Sequence, residues 1–287
     1  MLGMSLCCAT IVHAQDASLT QPYPEADCPS CAEWNQPSRP LHLFGNTYYV
    51  GTRGLASVLI ASRDGHILID GGLPDTAPLI LQNIRALGFR ASDIRIIVNS
   101  HEHFDHAGGI AALQQVSGAR VLASPDAAPV LGGEAPGQND PQHAIALPLP
   151  AAASVEVVQP GDVVRLGSLA LTMHPTGGHT PGGTTWTWQS CEGERCLRFV
   201  YADSQTPVSA DDFRFSDNPQ VTAAFRAGQQ LLEQLPCDVL ITPHPGASQF
   251  WQRMETAPEG LIDTTACARY AAAAREQMRR RLERERS

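Results

Sequence analysis

Short apolar runs separated by glycine-bearing turns fill residues 47 to 72: "TYYVG", "SVLIAS" and "HILIDGG". Each is too short for a helix and rich in β-branched or aromatic residues, so together they predict a strand meander. The period then changes. "TAPLILQNIRALG" carries apolar residues at helical spacing and closes on Gly88, a C-cap signal. A strand over 94–100, a helix over 107–117 ending at Gly118, and the strand "ARVLAS" follow, which is alternation of the α/β kind. Residues 125–150 hold Pro and Gly without a period and read as a long loop, a length that in compact domains usually serves function.

The second half repeats the logic, with strands in "VEVVQPGDVVRLGSLALTMHP", "TTWTWQ" and "CLRFVYADS", a helix around 219–235, the strand "DVLITPHPG", and a final helix from about 264. Each half reads as a sheet followed by helices. The prediction is an α/β fold, a four-layer αβ/βα sandwich of two mixed β-sheets flanked by helices, with residues 15–287 as one domain. The basic end of the last helix reads as a solvated terminus with cations near its negative pole.

With 43% apolar and 17% charged residues among 287, the chain can bury a large core. Its 29 acidic and 20 basic residues give a formal charge of -9, which disfavours nucleic acid or an anionic membrane as partner and suits a small-molecule substrate. No protein partner is implied. The opening "MLGMSLCCATIVHAQ" is an apolar run closed by Val12-His13-Ala14, resembling a signal peptide over residues 1–14, although no Lys or Arg precedes it. Export would place the chain in a bacterial periplasm. The run is too short to span a bilayer, which takes about 20 apolar residues.

Of eight cysteines, Cys7 and Cys8 would leave with that leader. The other six, an even number, are Cys28 and Cys31, Cys191 and Cys196, Cys237 and Cys267, and they read as a disulfide set for an oxidising compartment. "CPSC" could instead be redox-active or half of a zinc site, but no second CxxC accompanies it.

The densest chemistry is "HEHFDH" at 101–106, behind the apolar run "IRIIVNS". In extended backbone His101 and His103 point to one side and Glu102 to the other. Asp105 and His106 lie where the chain turns into the next helix, so they address a second point. Imidazole with carboxylate is zinc-type chemistry. Two further ligands would give each ion three, and His143, His174, His179 and His244 compete for the places. His179 in "GGHTPGG" and His244 in "TPHPG" sit at strand ends, whereas His174 reads as structural and His143 falls in the long loop. Three protein ligands per ion leave coordination positions open, the mark of a catalytic site. Two ions about 3.5–4 Å apart, sharing a hydroxide, point to hydrolysis.

H-x-H-x-D-H followed by "GGHTPGG", "YADS" and "TPHPG" resembles the metallo-β-lactamase superfamily, from about Thr47 to the last helix. That superfamily spans glyoxalase II-type thioesterases, lactonases, nucleases and β-lactamases. The ligand set, "GHTPGGTTWTW", "PCDVLITPHPGAS" and a pairing of Cys237 with Cys267 look like its subclass B3. The resemblance implies zinc-dependent hydrolysis of the β-lactam amide in penicillins, cephalosporins and carbapenems, and hence antibiotic resistance. It implies that His101, His103 and His179 hold one zinc and Asp105, His106 and His244 the other, with a shared hydroxide as nucleophile. Asp105 would orient that nucleophile and help return a proton. Ser204 and Thr206 would bind the substrate carboxylate, Gln142 would contact substrate from the long loop, and Asp70 would support the metal loops. Ser204 aligns with the place where many superfamily hydrolases carry a metal-bridging Asp. Were the adjacent Asp203 that ligand, the site would look like a thioesterase or lactonase. Trp186 and Trp188 read as core.

Hydrolysis of a lactone or thioester by the same two ions is the alternative among enzymes. Outside enzymes, a periplasmic zinc-binding protein is the alternative, and the open coordination positions weigh against it.

Overall fold

Alternation of apolar side chains along the strands sets the layers of the fold. The computed structural model describes residues 19–286; the leader over 1–14, with Cys7 and Cys8, lies outside the described residues. Strands β1 (Leu41–Phe44), β2 (Thr47–Tyr49), β3 (Val58–Ser62), β4 (Gly65–Ile69), β5 (Ile94–Val98), β6 (Arg120–Ala123) and β7 (Val155–Val157) form one sheet in that spatial order. Pairing is antiparallel from β1 to β4 and parallel from β4 to β7. The second sheet runs β12 (Val239–Ile241), β11 (Arg195–Tyr201), β10 (Thr184–Glu192), β9 (Leu169–Pro175), β8 (Val163–Leu166), with only β11 and β12 parallel.

Ile67 and Ile69 of β4 point into the space between the sheets, while Leu68 points the other way. Phe199 and Tyr201 of β11 likewise face inward and Val200 outward. Trp186, Trp188, Phe199, Tyr49 and Leu171 fill the centre of the sandwich, each such buried side chain contributing roughly 1.5–3 kcal/mol. The remaining faces are covered by helices, numbered along the chain as α1 (Cys31–Trp34), α2 (Ala77–Ala86), α3 (Phe104–Ala107), α4 (Ile110–Ser117), α5 (Ala127–Leu131), α6 (Pro219–Gln234), α7 (Phe250–Met254) and α8 (Ala266–Arg286). Ile80, Ile84, Ile110, Leu113 and Leu131 close over the first sheet, and Leu232, Ala266 and Ala271 over the second. The four layers are those expected from the sequence.

Three details differ. β7 pairs parallel with β6 and joins the first sheet, because a chain leaving β6 can cross through α5 and return alongside it. That crossover puts a helix, α5, inside the stretch expected to be loop. The helix expected over 107–117 is two, α3 and α4, broken at Gly108-Gly109, where the chain presses against the turn after β4. A Cβ at Gly109 would stand 2.3 Å from the Gly71 carbonyl oxygen.

The six cysteines form three disulfides, Cys28–Cys31, Cys191–Cys196 and Cys237–Cys267. The second joins directly opposed residues of β10 and β11, and the third ties the approach to β12 to α8. Among the described residues no helix is long and apolar enough to cross a membrane.

Candidate metal centre

The carboxyl ends of β5, β11 and β12 and the β9–β10 connection converge at one rim of the sandwich, where open α/β sheets usually bind ligands. Asp70, just after β4, anchors the rim. It is buried, and it accepts hydrogen bonds from Ser100 N–H at 2.6 Å, Ser100 Oγ at 2.7 Å and Tyr201 Oη at 2.7 Å. Its φ of 61° places a non-glycine residue in the left-handed region, at a cost of roughly 1–2 kcal/mol that these bonds offset. Gly71 and Gly72 N–H both donate to the His106 carbonyl. The hexapeptide is thereby fixed at both ends. Glu102 points away from its histidines and accepts from Thr180 Oγ1 at 2.8 Å and Gly182 N–H at 3.0 Å, tying the hexapeptide to "GGHTPGG".

The rings of His101, His103 and His179 stand 4.9–5.0 Å apart, centroid to centroid. Each has one nitrogen engaged from outside the cluster. His101 Nδ1 meets Asp203 Oδ1 at 2.8 Å, His103 Nε2 meets Asp140 Oδ2 at 3.2 Å, and His179 Nδ1 donates to the Thr206 carbonyl at 2.8 Å. Of the other three nitrogens, which face one another, His101 Nε2 has no hydrogen-bond partner, while His103 Nδ1 and His179 Nε2 also meet the Gln142 amide nitrogen. Burial and the neighbouring imidazoles hold the pKa of His101 well below the usual histidine range, and burial first, then His103, pushes His179 down to about 3. Both rings are neutral at neutral pH, with lone pairs turned inward. Burial is the largest single influence on His103 and opposes its protonation, but Asp140, Asp105 and Glu102 together raise that pKa.

A second cluster adjoins the first. Asp105 Oδ2 lies 3.1 Å from His106 Nε2 and 3.0 Å from His244 Nε2, and these two nitrogens are 3.3 Å apart. The His101 and His106 rings are 4.4 Å apart, so the clusters are contiguous. Burial would raise the Asp105 carboxyl, but His106 and His244 hold it well below the usual range. Two groups of side chains could hold a metal ion, His101 with His103 and His179, and His101 with Asp105 and His106, their ligand atoms lying within 4.8 Å of one another in each group. The buried His101 Nε2, without a hydrogen-bond partner, fits a ligand atom of the donor set that zinc takes.

The same architecture is found in the structure of Rm3 metallo-beta-lactamase, 49% identical, with a TM-score of 0.88 over 91% of this chain and 99% of that one. The chain belongs to the metallo-β-lactamase superfamily. A family model described as Metallo-beta-lactamase superfamily matches residues 50–192. MEM-A1, a subclass B3 metallo-beta-lactamase isolated from a soil metagenome library, is 46% identical with a TM-score of 0.86, over 88% of this chain and 98% of that one. A hydroxyacylglutathione hydrolase of Anaeromyxobacter dehalogenans (strain 2CP-C) is 34% identical over 131 residues, 46% of this chain and 41% of that protein. The chain spans about two fifths of that relative's length.

On this superfamily scaffold the two histidines set aside from the sequence stay apart. His143 Nδ1 faces the Asp140 carbonyl, and His174 Nε2 pairs with Thr187 on the second sheet. Asp203, the residue that bears on a thioesterase-like site, is held at the outer nitrogen of His101. Ser204 is buried beside it, its hydroxyl without a hydrogen-bond partner among the described residues, whereas the Thr206 hydroxyl leans toward His179 Nδ1 at 3.5 Å. The Gln142 amide nitrogen lies 3.5 Å from His103 Nδ1 and 3.4 Å from His179 Nε2, at the mouth of the first cluster. Trp186 and Trp188 are core, and the Trp186 indole donates to the Asn99 carbonyl two residues before His101.

Sequence reasoning missed Asp140 and the segment 19–36. Asp140 stood in "NDPQ" with no pattern to mark it. Segment 19–36 brings Tyr23 against Phe104, ring centroids 5.3 Å apart, and its hydroxyl donates to the Pro148 carbonyl at 2.6 Å. The only signal was a pair of aromatics flanking "CPSC". A cavity of about 240 Å³ opens beside His103, lined by Phe104, Val130, His143, Leu147 and Leu149.

Proposed function

We propose that the site hydrolyses the amide bond of β-lactams with two zinc ions, conferring resistance to penicillins, cephalosporins and carbapenems. The observation that carries this reading is the pair of contiguous clusters with Asp203 held at the outer nitrogen of His101, where it is not offered as a ligand common to both. Similarity to Rm3 and MEM-A1 supports it. His101, His103 and His179 would hold the first ion, and Asp105, His106 and His244 the second. Zinc bound there supplies Lewis acidity toward the substrate carbonyl and brings the pKa of water toward about 7.

The chain's own groups supply orientation and proton handling. Asp105, kept ionised by His106 and His244, orients the attacking water and carries a proton toward the departing ring nitrogen. The Ser204 hydroxyl donates to the substrate carboxylate, with Thr206 beside it. Gln142 would contact substrate from the long loop. The largely apolar cavity beside His103 accommodates the acyl side chain. Three disulfides support export to an oxidising compartment such as the periplasm.

The test is hydrolysis of a carbapenem and a chromogenic cephalosporin by the purified chain, before EDTA, after EDTA and after added zinc. Activity that vanishes with chelation and returns with zinc is the expected result. Similarity to proteins named hydroxyacylglutathione hydrolase favours a second reading, thioester hydrolysis. A hydroxyacyl-glutathione thioester in the same assay separates the two, and a zinc-loaded protein that cleaves only the thioester ends the β-lactam reading.

A further inference from the structure

Three of the five imidazoles around the two clusters have a hydrogen-bonding group behind them: Asp203 behind His101, Asp140 behind His103 and the Thr206 carbonyl behind His179. His106 Nδ1 has no hydrogen-bond partner, its nearest Asp70 oxygen lying 3.8 Å away, but that ring is held by burial. His244 has neither a hydrogen-bonding group behind it among the described residues nor that burial. Its Nε2 faces Asp105 and His106, its Nδ1 meets no hydrogen-bond partner among the described residues, and its side chain is 34% exposed where that of His106 is 1% exposed. The His106 ring meets it edge-on at 4.8 Å on the side of the cluster, and its other aromatic neighbour is Trp34, at 5.1 Å between centroids and tilted by 60°.

Trp34 is itself fixed on both flanks. Its carbonyl accepts from Thr52 Oγ1 at 2.7 Å and Gly54 N–H at 3.0 Å. The next side chain, Asn35, donates to Asp75 at 2.6 Å and accepts from Thr76 Oγ1 at 2.7 Å. Gly54 leaves no room for a side chain, since a Cβ there would stand 2.5 Å from Trp34 Cα. The Cys28–Cys31 disulfide closes the chain just ahead of α1. So many constraints on a short exposed segment place one aromatic face, and that face lies on a metal-site histidine.

We propose that Trp34 is a positioning residue for His244, which makes the segment 19–36 a part of the second metal site. An imidazole without a hydrogen-bonded partner can swing about its Cβ–Cγ bond, and ordering it on metal binding costs affinity. The indole removes that freedom by packing, as a carboxylate does elsewhere by hydrogen bonding. The inference rests on His244 being a ligand of the second ion.

The experiment titrates the full metal-free chain with zinc against a chromogenic chelator and counts bound ions by native mass spectrometry, for wild type, Trp34→Ala, Trp34→Phe and His244→Ala. Trp34→Ala is expected to weaken the second ion by about 10- to 100-fold and leave the first unchanged, and Trp34→Phe to restore the second. Unchanged second-ion affinity in Trp34→Ala, equal weakening of both ions, or no rescue by Phe would each overturn the proposal. Should Trp34→Ala not fold, Trp34→Leu keeps bulk without a flat face, and wild-type second-ion affinity there overturns it equally. A His244→Ala chain that still binds two ions places the fault in the ligand assignment instead. None of these readouts requires a substrate.

Discussion

Asp203 and His101 are 102 residues apart, yet their contact at 2.8 Å decides which nitrogen of His101 turns inward. A carboxylate behind an imidazole fixes both its tautomer and its tilt. Asp203→Asn is therefore expected to weaken the first ion by about 10- to 100-fold, read by chelator competition, with the second ion unaffected. First-ion binding equal to wild type would mean that packing alone orients His101. The candidate ligand groups were legible because "HEHFDH" compresses four such side chains into six residues, and alternation in extended backbone turns Glu102 away from His101 and His103. Asp140 was illegible for the opposite reason. It lies in irregular backbone, where no period says which way a side chain points, and only the folded loop brings it to 3.2 Å from His103.

At the scale of elements, the turn signals in the sequence have measurable weight. Gly118 ends α4 at φ 71°, and a Cβ there would meet open space, so replacement costs backbone conformation alone. Gly118→Ala should lower stability by about 1 kcal/mol, seen as a shift of the denaturation midpoint; an unchanged midpoint would show that the turn relaxes. The middle of β11 and the entry to β12 are joined by Asp238, which accepts from Arg198 N–H and Nε at 2.8 Å and from its terminal nitrogen at 2.6 Å. The hydrogen bonds from Arg198 are the main cause holding the Asp238 pKa below its ordinary value. A carboxyl whose folded pKa is depressed stabilises fully above its unfolded pKa, about 3.9, and loses that contribution as pH falls through the folded value. The stability gap between the wild type and Asp238→Asn should thus be largest near neutrality and shrink below about pH 4. A gap independent of pH would assign the effect to packing.

For the whole molecule, the three disulfides differ in how much chain they constrain. Cys237–Cys267 spans 30 residues and Cys191–Cys196 spans 5, so loop-closure entropy gives roughly 3.6 kcal/mol for the first and about 2 kcal/mol for the second. Replacing both cysteines of the long bridge by Ala should cost visibly more in urea denaturation than the same change in the short one. Equal costs would count against the entropic account for this protein.

Short-range pattern was enough for most strands and helices, the four layers, and the candidate ligand cluster of the hexapeptide, because side-chain period and cap chemistry act over a few residues. His179 in its glycine-bearing turn and His244 between two prolines were singled out on the same grounds, and both lie beside the hexapeptide, His179 in the β9–β10 connection and His244 just past β12. Tertiary structure alone decided that β7 returns to the first sheet, that Asp203 lies on the outer nitrogen of His101, that Asp140 leans on His103, and that Trp34 reaches His244. Those contacts join segments whose meeting depends on the path of the intervening chain and on the sheet packing that closes it. No local period records such a path, and the partners of the metal-site histidines are set by it.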